Sequence, residues 1–320
     1  MTDALLQIRN LTKRFQTPSG TVHAVEDVSF DIPRGSITGL VGESGSGKTT
    51  LGRTILRLVE PTAGRITFDG TDITRLGAGG MRDMRRRMQI IFQDPVSSLN
   101  PRLKVGDLIA EGLRAFGIGT ARDRRDRIAA LLEEVGLNAD HMDRYPHAFS
   151  GGQRQRIGIA RALALEPDFI VADESVSALD VSIQAQVLNL LLDLRKTRNL
   201  TMLFIAHDLS VVNYLCDQVA VMYLGRLMEI GPTDRVRKGS AHPYTRALNS
   251  AIPQPDPRAA RNRTPLQGDI PSPLAPPSGC VFRTRCPHVA QICANAVPGP
   301  HLMDRNHQSY CKRTEELYGL

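Results

Sequence analysis

Residues Gly42 to Thr49 read GESGSGKT, which fits the spacing G-x-x-x-x-G-K-[ST]. In such a loop Gly42, Gly45 and Gly47 let the backbone wrap its N–H groups around phosphate oxygens. Glu43, Ser44 and Ser46 complete the cradle and Thr50 follows it. Lys48 is placed for the β- and γ-phosphates of a nucleotide, and the Thr49 hydroxyl for Mg²⁺. A second segment, FIVADE (Phe169 to Glu174), is an apolar run ending in two acids. At the carboxyl end of a strand, Asp173 suits a Mg²⁺-organising acid and Glu174 a group that activates water. A third, FSGGQRQR (Phe149 to Arg156), opens a helix. Ser150 can cap it, while Gly151 and Gly152 leave its first N–H groups exposed beside Gln153, a second anion site.

These residues need elements to hold them. ITGLV (Ile37 to Val41) reads as a buried strand feeding a helix from Lys48 to about Leu58. MQIIF (Met88 to Phe92) is a further strand, placed just before Gln93. Apolar residues recur at helical spacing over Leu103–Phe116, Arg122–Val135 and Gly151–Leu165. Strands return at Asp168–Asp173 and Thr201–His207, separated by a helix from Ile183 to Arg195. The pattern predicts an α/β fold with a mainly parallel sheet and a helical insertion over about residues 95–165.

The chain has 320 residues, which fits two domains or one large domain with an extension. Hydrophobic residues make up 41% and charged residues 23%, so the chain is not disordered as a whole. A net charge of +7 permits contact with nucleic acid or an anionic membrane. The basic clusters Arg82–Met88 and Arg122–Arg127 lack interleaved stacking aromatics, and there is no Trp. They read as solvated helix faces, near lipid headgroups rather than nucleic acid, with Asp123 and Asp126 suited to helical salt bridges. The N-terminus lacks the build of a signal peptide, and prolines interrupt the long uncharged stretch Cys286–Met303. The expectation is an intracellular chain without structural disulfides.

Near Pro253 the composition turns proline-rich and charged, as in an extended linker. Beyond it Cys280, Cys286, Cys293 and Cys311 give C-x5-C-x6-C-x17-C. Four thiols in such a tail suggest a metal site, either zinc or an iron–sulfur cluster. Zinc sites usually show close C-x2–4-C pairs, and wider spacing lets a loop wrap a [4Fe–4S] cube. Four free thiols are the remaining alternative. Cys216 stands apart and reads as a buried structural residue.

With these motifs in order, residues 5 to about 235 resemble an ATP-binding cassette (ABC) ATPase. The resemblance implies an N-terminal antiparallel β-subdomain and further site residues. Gln93 matches the Q-loop, Ser177–Asp180 (SALD) the D-loop with Asp180, and His207 the switch histidine at the γ-phosphate. Phe15 falls where the family stacks an aromatic on adenine. Ser175 stands where the family often has proline after its acidic pair. The family works as a head-to-tail dimer, in which the P-loop of one subunit and the SGGQ segment of the other enclose each ATP.

The segments Gln93–Leu113, Val176–Leu191, His242–Pro253 and Gly268–Pro287 resemble the dipeptide/oligopeptide importer group more narrowly, and its F-type ATPase in particular. That resemblance implies a nucleotide-binding domain over 1–252 and an extension over 253–320 carrying a [4Fe–4S] cluster. It also implies a different, D-type partner ATPase, two transmembrane permeases at the inner face of the membrane, and a substrate-binding protein acting indirectly. Asp94–Arg102 matches the permease-docking segment, with Val96, Leu99 and Leu103 as candidate contacts. The same cassette could instead serve nickel or another solute. A soluble ABC protein acting on ribosomes or DNA is the alternative of another class, although those usually carry two cassettes per chain.

Overall fold

The computed structural model describes residues 3–94, 97–177, 179–252, 264–304 and 306–319. The chain divides into two compact units, each with its own core. One comprises Ala4–Ile32, Ile37–Thr74 and Phe204–Leu320. The other comprises Pro33–Ser36 and Arg75–Leu203, joined by the N-terminal Asp3.

The unit that carries the P-loop opens with two long strands, Ala4–Thr17 and Gly20–Pro33. They form an antiparallel sheet with Ala63–Phe68 and Thr71–Asp72, as the family resemblance implies. Leu6 lies opposite Phe68 and Ile8 opposite Ile66, and all four are fully buried. The P-loop strand Ile37–Val41 is buried along its whole length, which explains its unbroken apolar run. It pairs in parallel with Gln218–Tyr223, Gly39 facing Val219. Gln218–Tyr223 pairs in turn with Arg226–Pro232, which turns the chain back antiparallel. The helix after the P-loop spans Lys48–Ile55, shorter than its spacing suggests. Arg57 adopts a left-handed backbone (φ 50°), and the N–H groups of Leu58 and Val59 fold back onto the Arg53 carbonyl.

The extension adds order that its composition hides. Residues 264–278 are irregular, while residues 253–263, the core of the expected linker, lie outside the described residues. Two short strands follow, His301–Asp304 and His307–Ser309, and the second pairs with Arg226–Pro232. The Glu229 carboxylate is completely buried there and fully engaged. It accepts the N–H groups of Ala241 (2.8 Å) and His242 (3.1 Å) and lies 2.7 Å from His307 Nε2. Cys216 ends the helix Leu209–Leu215 and is buried, as its apolar surroundings suggest.

In the other unit Met88–Ile91 pairs in parallel with Phe169–Asp173. The helices of the insertion are Val105–Ala115, Ala121–Glu134 and Gly151–Leu163, with single turns at Ala139–Asp143 and Pro146–Ala148. The helix Val181–Arg198 leads toward the strand Thr201–Ala206. The basic clusters do lie on helices, Arg82–Arg87 within Ala78–Arg87. Their partners differ from the expected ones within the same helix. Asp123 closes a capping box with Thr120, while Arg125 and Arg127 pair with Asp143 and Glu166 at 3.1 Å each. No helix among the described residues is long and apolar enough to cross a membrane.

His242 caps the helix Pro243–Ser250, its Nδ1 accepting the Tyr244 N–H at 3.1 Å. Burial pushes its pKa down from 6.5 to about 3, so the native state holds it neutral. The unfolded chain binds a proton below about pH 6.5 that the native state refuses. Stability should therefore fall as pH drops from about 6.5 toward 3, by up to about 1.4 kcal/mol per pH unit from this group. Urea unfolding between pH 7 and 4.5 should show a flatter profile for His242→Asn, which keeps a capping acceptor. Parallel profiles for the two proteins would remove His242 as the source.

Candidate functional site

The P-loop is built by close backbone approaches. A Cβ on Gly42 would lie 2.1 Å from the Met222 carbonyl oxygen, and one on Gly47 2.2 Å from that of Ala24. Gly45 and Gly47 have φ of 77° and 99°, which turns the loop before the helix begins. The Gly225 N–H donates to the Ser46 carbonyl at 2.9 Å and fixes the loop from outside. Gly45 faces open space, which leaves room for a ligand over the loop.

Three features suit this cradle to phosphate. The loop ends at the N-terminus of an eight-residue helix, where N–H groups lack intrahelical partners. The Ser46 hydroxyl is buried and has no hydrogen-bond partner among the described residues. Lys48 is 4% exposed, and its ammonium rests on the carbonyls of Gly42 (2.8 Å) and Glu43 (3.1 Å). Thr49 and Thr50 are half-buried on the first turn, and Ser44 is exposed.

Two residues that the motif does not contain grip Glu43. Its N–H donates to the Tyr244 hydroxyl at 3.0 Å, and its carboxylate takes the Arg285 guanidinium at 2.6 and 3.3 Å. These partners lie 201 and 242 residues along the chain, and no spacing rule points to them. Phe15 is exposed on the long first strand, with the Lys13 ammonium 4.7 Å from its ring centroid. His207 follows the strand Thr201–Ala206 and is exposed.

The acidic pair is built in the other unit. Asp173 is the last residue of its strand and is buried. Glu174 follows in a left-handed backbone (φ 44°), which turns its side chain away from the strand direction. The Ser177 N–H and hydroxyl both donate to the Glu174 carbonyl, at 3.1 and 2.9 Å, and hold that turn. Gln93 Nε2 donates to Glu174 Oε2 at 2.9 Å, so the Q-loop and the acid meet. Ser150 caps Gly151–Leu163 with a full capping box, exchanging bonds of 3.3 and 3.0 Å with Gln153. Gly152 has a further reason to be glycine: a Cβ there would strike Ile183 at 2.3 Å. Asp180 precedes the helix Val181–Arg198 and is exposed, while Ala178 of the same loop lies outside the described residues.

Among the candidate permease contacts, Leu99 is 2% exposed. Its side chain therefore offers almost no surface to a partner, which favours the alternative reading of Leu99 as a packing residue. Leu103 is half-buried, and Val96 lies outside the described residues.

The four late cysteines line one pocket, together with His242 and Phe282. None forms a disulfide. The Cys280 N–H donates to the Cys293 carbonyl at 2.8 Å. Burial pushes the Cys280 thiol up to about 11, the other three sulfurs adding to the rise, and it also raises Cys286 and Cys311. Among the described residues no three His, Cys, Asp or Glu side chains are grouped as a single metal ion requires.

The chain is similar to known proteins along most of its length. The ABC transporter family profile matches residues 25–177, and that of the oligopeptide/dipeptide transporter C-terminal region matches residues 228–293. A Brucella ovis protein provisionally named a peptide import ATP-binding protein is 60% identical over 309 residues, 97% of this chain and 98% of its own. The oligopeptide transport ATP-binding protein OppF of Bacillus subtilis is 56% identical over 82% of this chain and 87% of its own. Among solved structures, cbiO1 from Clostridium perfringens, part of the ABC transporter complex cbiONQ, superposes with a TM-score of 0.65 at 30% identity. That match covers 73% of this chain and 90% of cbiO1. The ATP-binding cassette MJ0796, in a post-hydrolysis dimer bound to ADP and Pi, gives 0.66 at 27% identity, covering 71% of this chain and 98% of the cassette. The chain is an ATPase and belongs to the ABC transporter family, in the group marked by the oligopeptide/dipeptide transporter C-terminal region.

Proposed function

We propose that this chain powers the import of di- or oligopeptides through a membrane permease, to which it binds at the inner face of the membrane. The observation that carries the cargo class is the peptide-transporter C-terminal region, folded into the same compact unit as the P-loop. The similarity to relatives named for peptides favours peptides over nickel.

In this reading the P-loop N–H groups, Ser46 and Lys48 hold the β- and γ-phosphates of ATP, and Phe15 stacks on its adenine. Thr49, Gln93 and Asp173 are the residues that would hold Mg²⁺, which when bound would neutralise the charge gathering on the phosphates. Glu174 accepts the proton of the attacking water, with Gln93 holding one of its oxygens. His207 contacts the γ-phosphate. Ser150, Gly151, Gly152 and Gln153, together with Asp180, act on the nucleotide held by a partner cassette. One P-loop and one SGGQ segment per chain leave a site that only a second cassette completes, and a different D-type ATPase is the proposed partner. Two permeases complete the assembly, a substrate-binding protein delivers the cargo, and no nucleic acid takes part. Cys280, Cys286, Cys293 and Cys311, which line one pocket, are the proposed ligands of a [4Fe–4S] cluster, the reading that their wide spacing along the chain favours over zinc.

Three measurements test these proposals. Glu174→Gln, in the chain assembled with its partner cassette, should lose on the order of 10²–10⁴-fold in phosphate release while still binding ATP. Undiminished hydrolysis would take the base role from Glu174. Purification under anaerobic conditions should yield about four iron and four sulfide per chain, and one zinc with no iron would overturn the cluster. A pull-down from detergent-solubilised membranes should recover two permeases and a second cassette. Recovery of ribosomal or DNA-bound partners alone would refute the importer.

A further inference from the structure

Glu43 presents an electrostatic problem that the P-loop motif does not solve. A carboxylate on the second residue of a phosphate cradle repels the ligand that the cradle is built to hold. The countercharge comes from the extension. Arg285 precedes Cys286, and its side chain is only 6% exposed. Its Nη1 and Nη2 fork onto the two oxygens of Glu43, and Nη1 also lies 3.5 Å from the Tyr223 hydroxyl. Its Nε donates to the Gln267 carbonyl at 3.3 Å, so both ends of the guanidinium are fixed.

The loop that presents Arg285 is itself firmly seated. The Arg285 N–H donates to the Phe282 carbonyl at 3.0 Å. Phe282 is fully buried against Tyr223 and Tyr244, with ring centroids 5.3 and 5.2 Å away. Tyr244 is the residue that holds the Glu43 N–H, and the Glu43 carbonyl accepts from the Lys48 ammonium. A single P-loop residue thus joins the thiol-bearing loop to the P-loop lysine.

We propose that Arg285 is a positioning residue for the nucleotide: by neutralising and holding Glu43, it lets the P-loop accept polyphosphate. The cysteine loop is then the mount for that residue, and its integrity sets nucleotide affinity. The inference rests on ATP binding at the P-loop and is independent of the cargo.

The test is binding of the Mg²⁺ complex of N-methylanthraniloyl-ATP to the full chain, followed by fluorescence, beside steady-state hydrolysis in the assembled transporter. Arg285→Ala should raise Kd by about 10-fold, since every tenfold is 1.4 kcal/mol, and should raise KM more than it lowers kcat. Arg285→Lys keeps the cation and should cost about threefold or less. The decisive variant is the double one, Glu43→Gln with Arg285→Ala. Removing the carboxylate removes the need for its partner, so the double variant should bind tighter than Arg285→Ala alone. A purely structural arginine would show no such rescue. A Kd within twofold of wild type in Arg285→Ala would overturn the proposal, and so would a lowered Tm with KM unchanged. Should Arg285→Ala fail to fold, Arg285→Gln replaces it, and equal affinities for Arg285→Gln and Arg285→Lys would overturn it as well. Because Glu174 is untouched in every variant, failure here leaves the assignment of the catalytic base standing.

Discussion

A phosphate cradle consists of N–H groups that its own fold must leave unbonded, and such a loop cannot hold itself. Helices and strands satisfy their backbone internally, whereas this loop relies on its surroundings. The surroundings of GESGSGKT are therefore as important as its letters. The carbonyls of Met222 and Ala24 press against Gly42 and Gly47 so closely that no side chain fits. Gly225 holds Ser46, and Tyr244 and Arg285 hold Glu43. Within the loop the Lys48 ammonium donates to the carbonyls of Gly42 and Glu43, and the Ser46 N–H to that of Glu43.

The same dependence gives the C-terminal extension a structural part in the nucleotide site. Its strand His307–Ser309 extends the sheet at Arg226–Pro232 and brings His307 to the buried Glu229. A carboxylate removed from water costs several kcal/mol unless its oxygens are bonded. Here two N–H groups from the turn at Ala241–His242 and one imidazole nitrogen supply those bonds. The turn leads into the helix Pro243–Ser250, which carries Tyr244 to the P-loop. Strand, turn, helix and loop thus form one chain of contacts within a single compact unit.

The sequence was most informative where function needs residues close together along the chain. The P-loop, the capping box at Ser150 and Gln153, and the strand that ends in Asp173 each follow from short spacing and local backbone rules. Family resemblance assigned Gln93 to the Q-loop, but its hydrogen bond to Glu174, 81 residues away, is visible only in the structure. Arg285 and Tyr244 were invisible, since a long-range ion pair leaves no periodicity. The extension read as irregular because its strands are four and three residues long, too short for alternation to stand out. Leu99 was ambiguous for a related reason: an apolar residue in a docking segment and one in a packed interior have the same letter.

The acidic pair shows how the fold accepts local cost at the carboxyl end of a strand. Glu174 sits in a left-handed backbone that an L-residue adopts at a cost of roughly 1–2 kcal/mol. Next to it, the Ser175 hydroxyl is buried with no hydrogen-bond partner among the described residues. An unsatisfied buried hydroxyl costs about 1–3 kcal/mol. A proline there, as the resemblance led one to expect, would bring no such hydroxyl, so serine is the costlier choice for this turn. What keeps the turn in place is the bonding around it: Ser177 donates twice to the Glu174 carbonyl, and Gln93 holds the carboxylate. The acid is therefore fixed by its neighbours against its own backbone preference, the condition under which a strained residue keeps a defined aim.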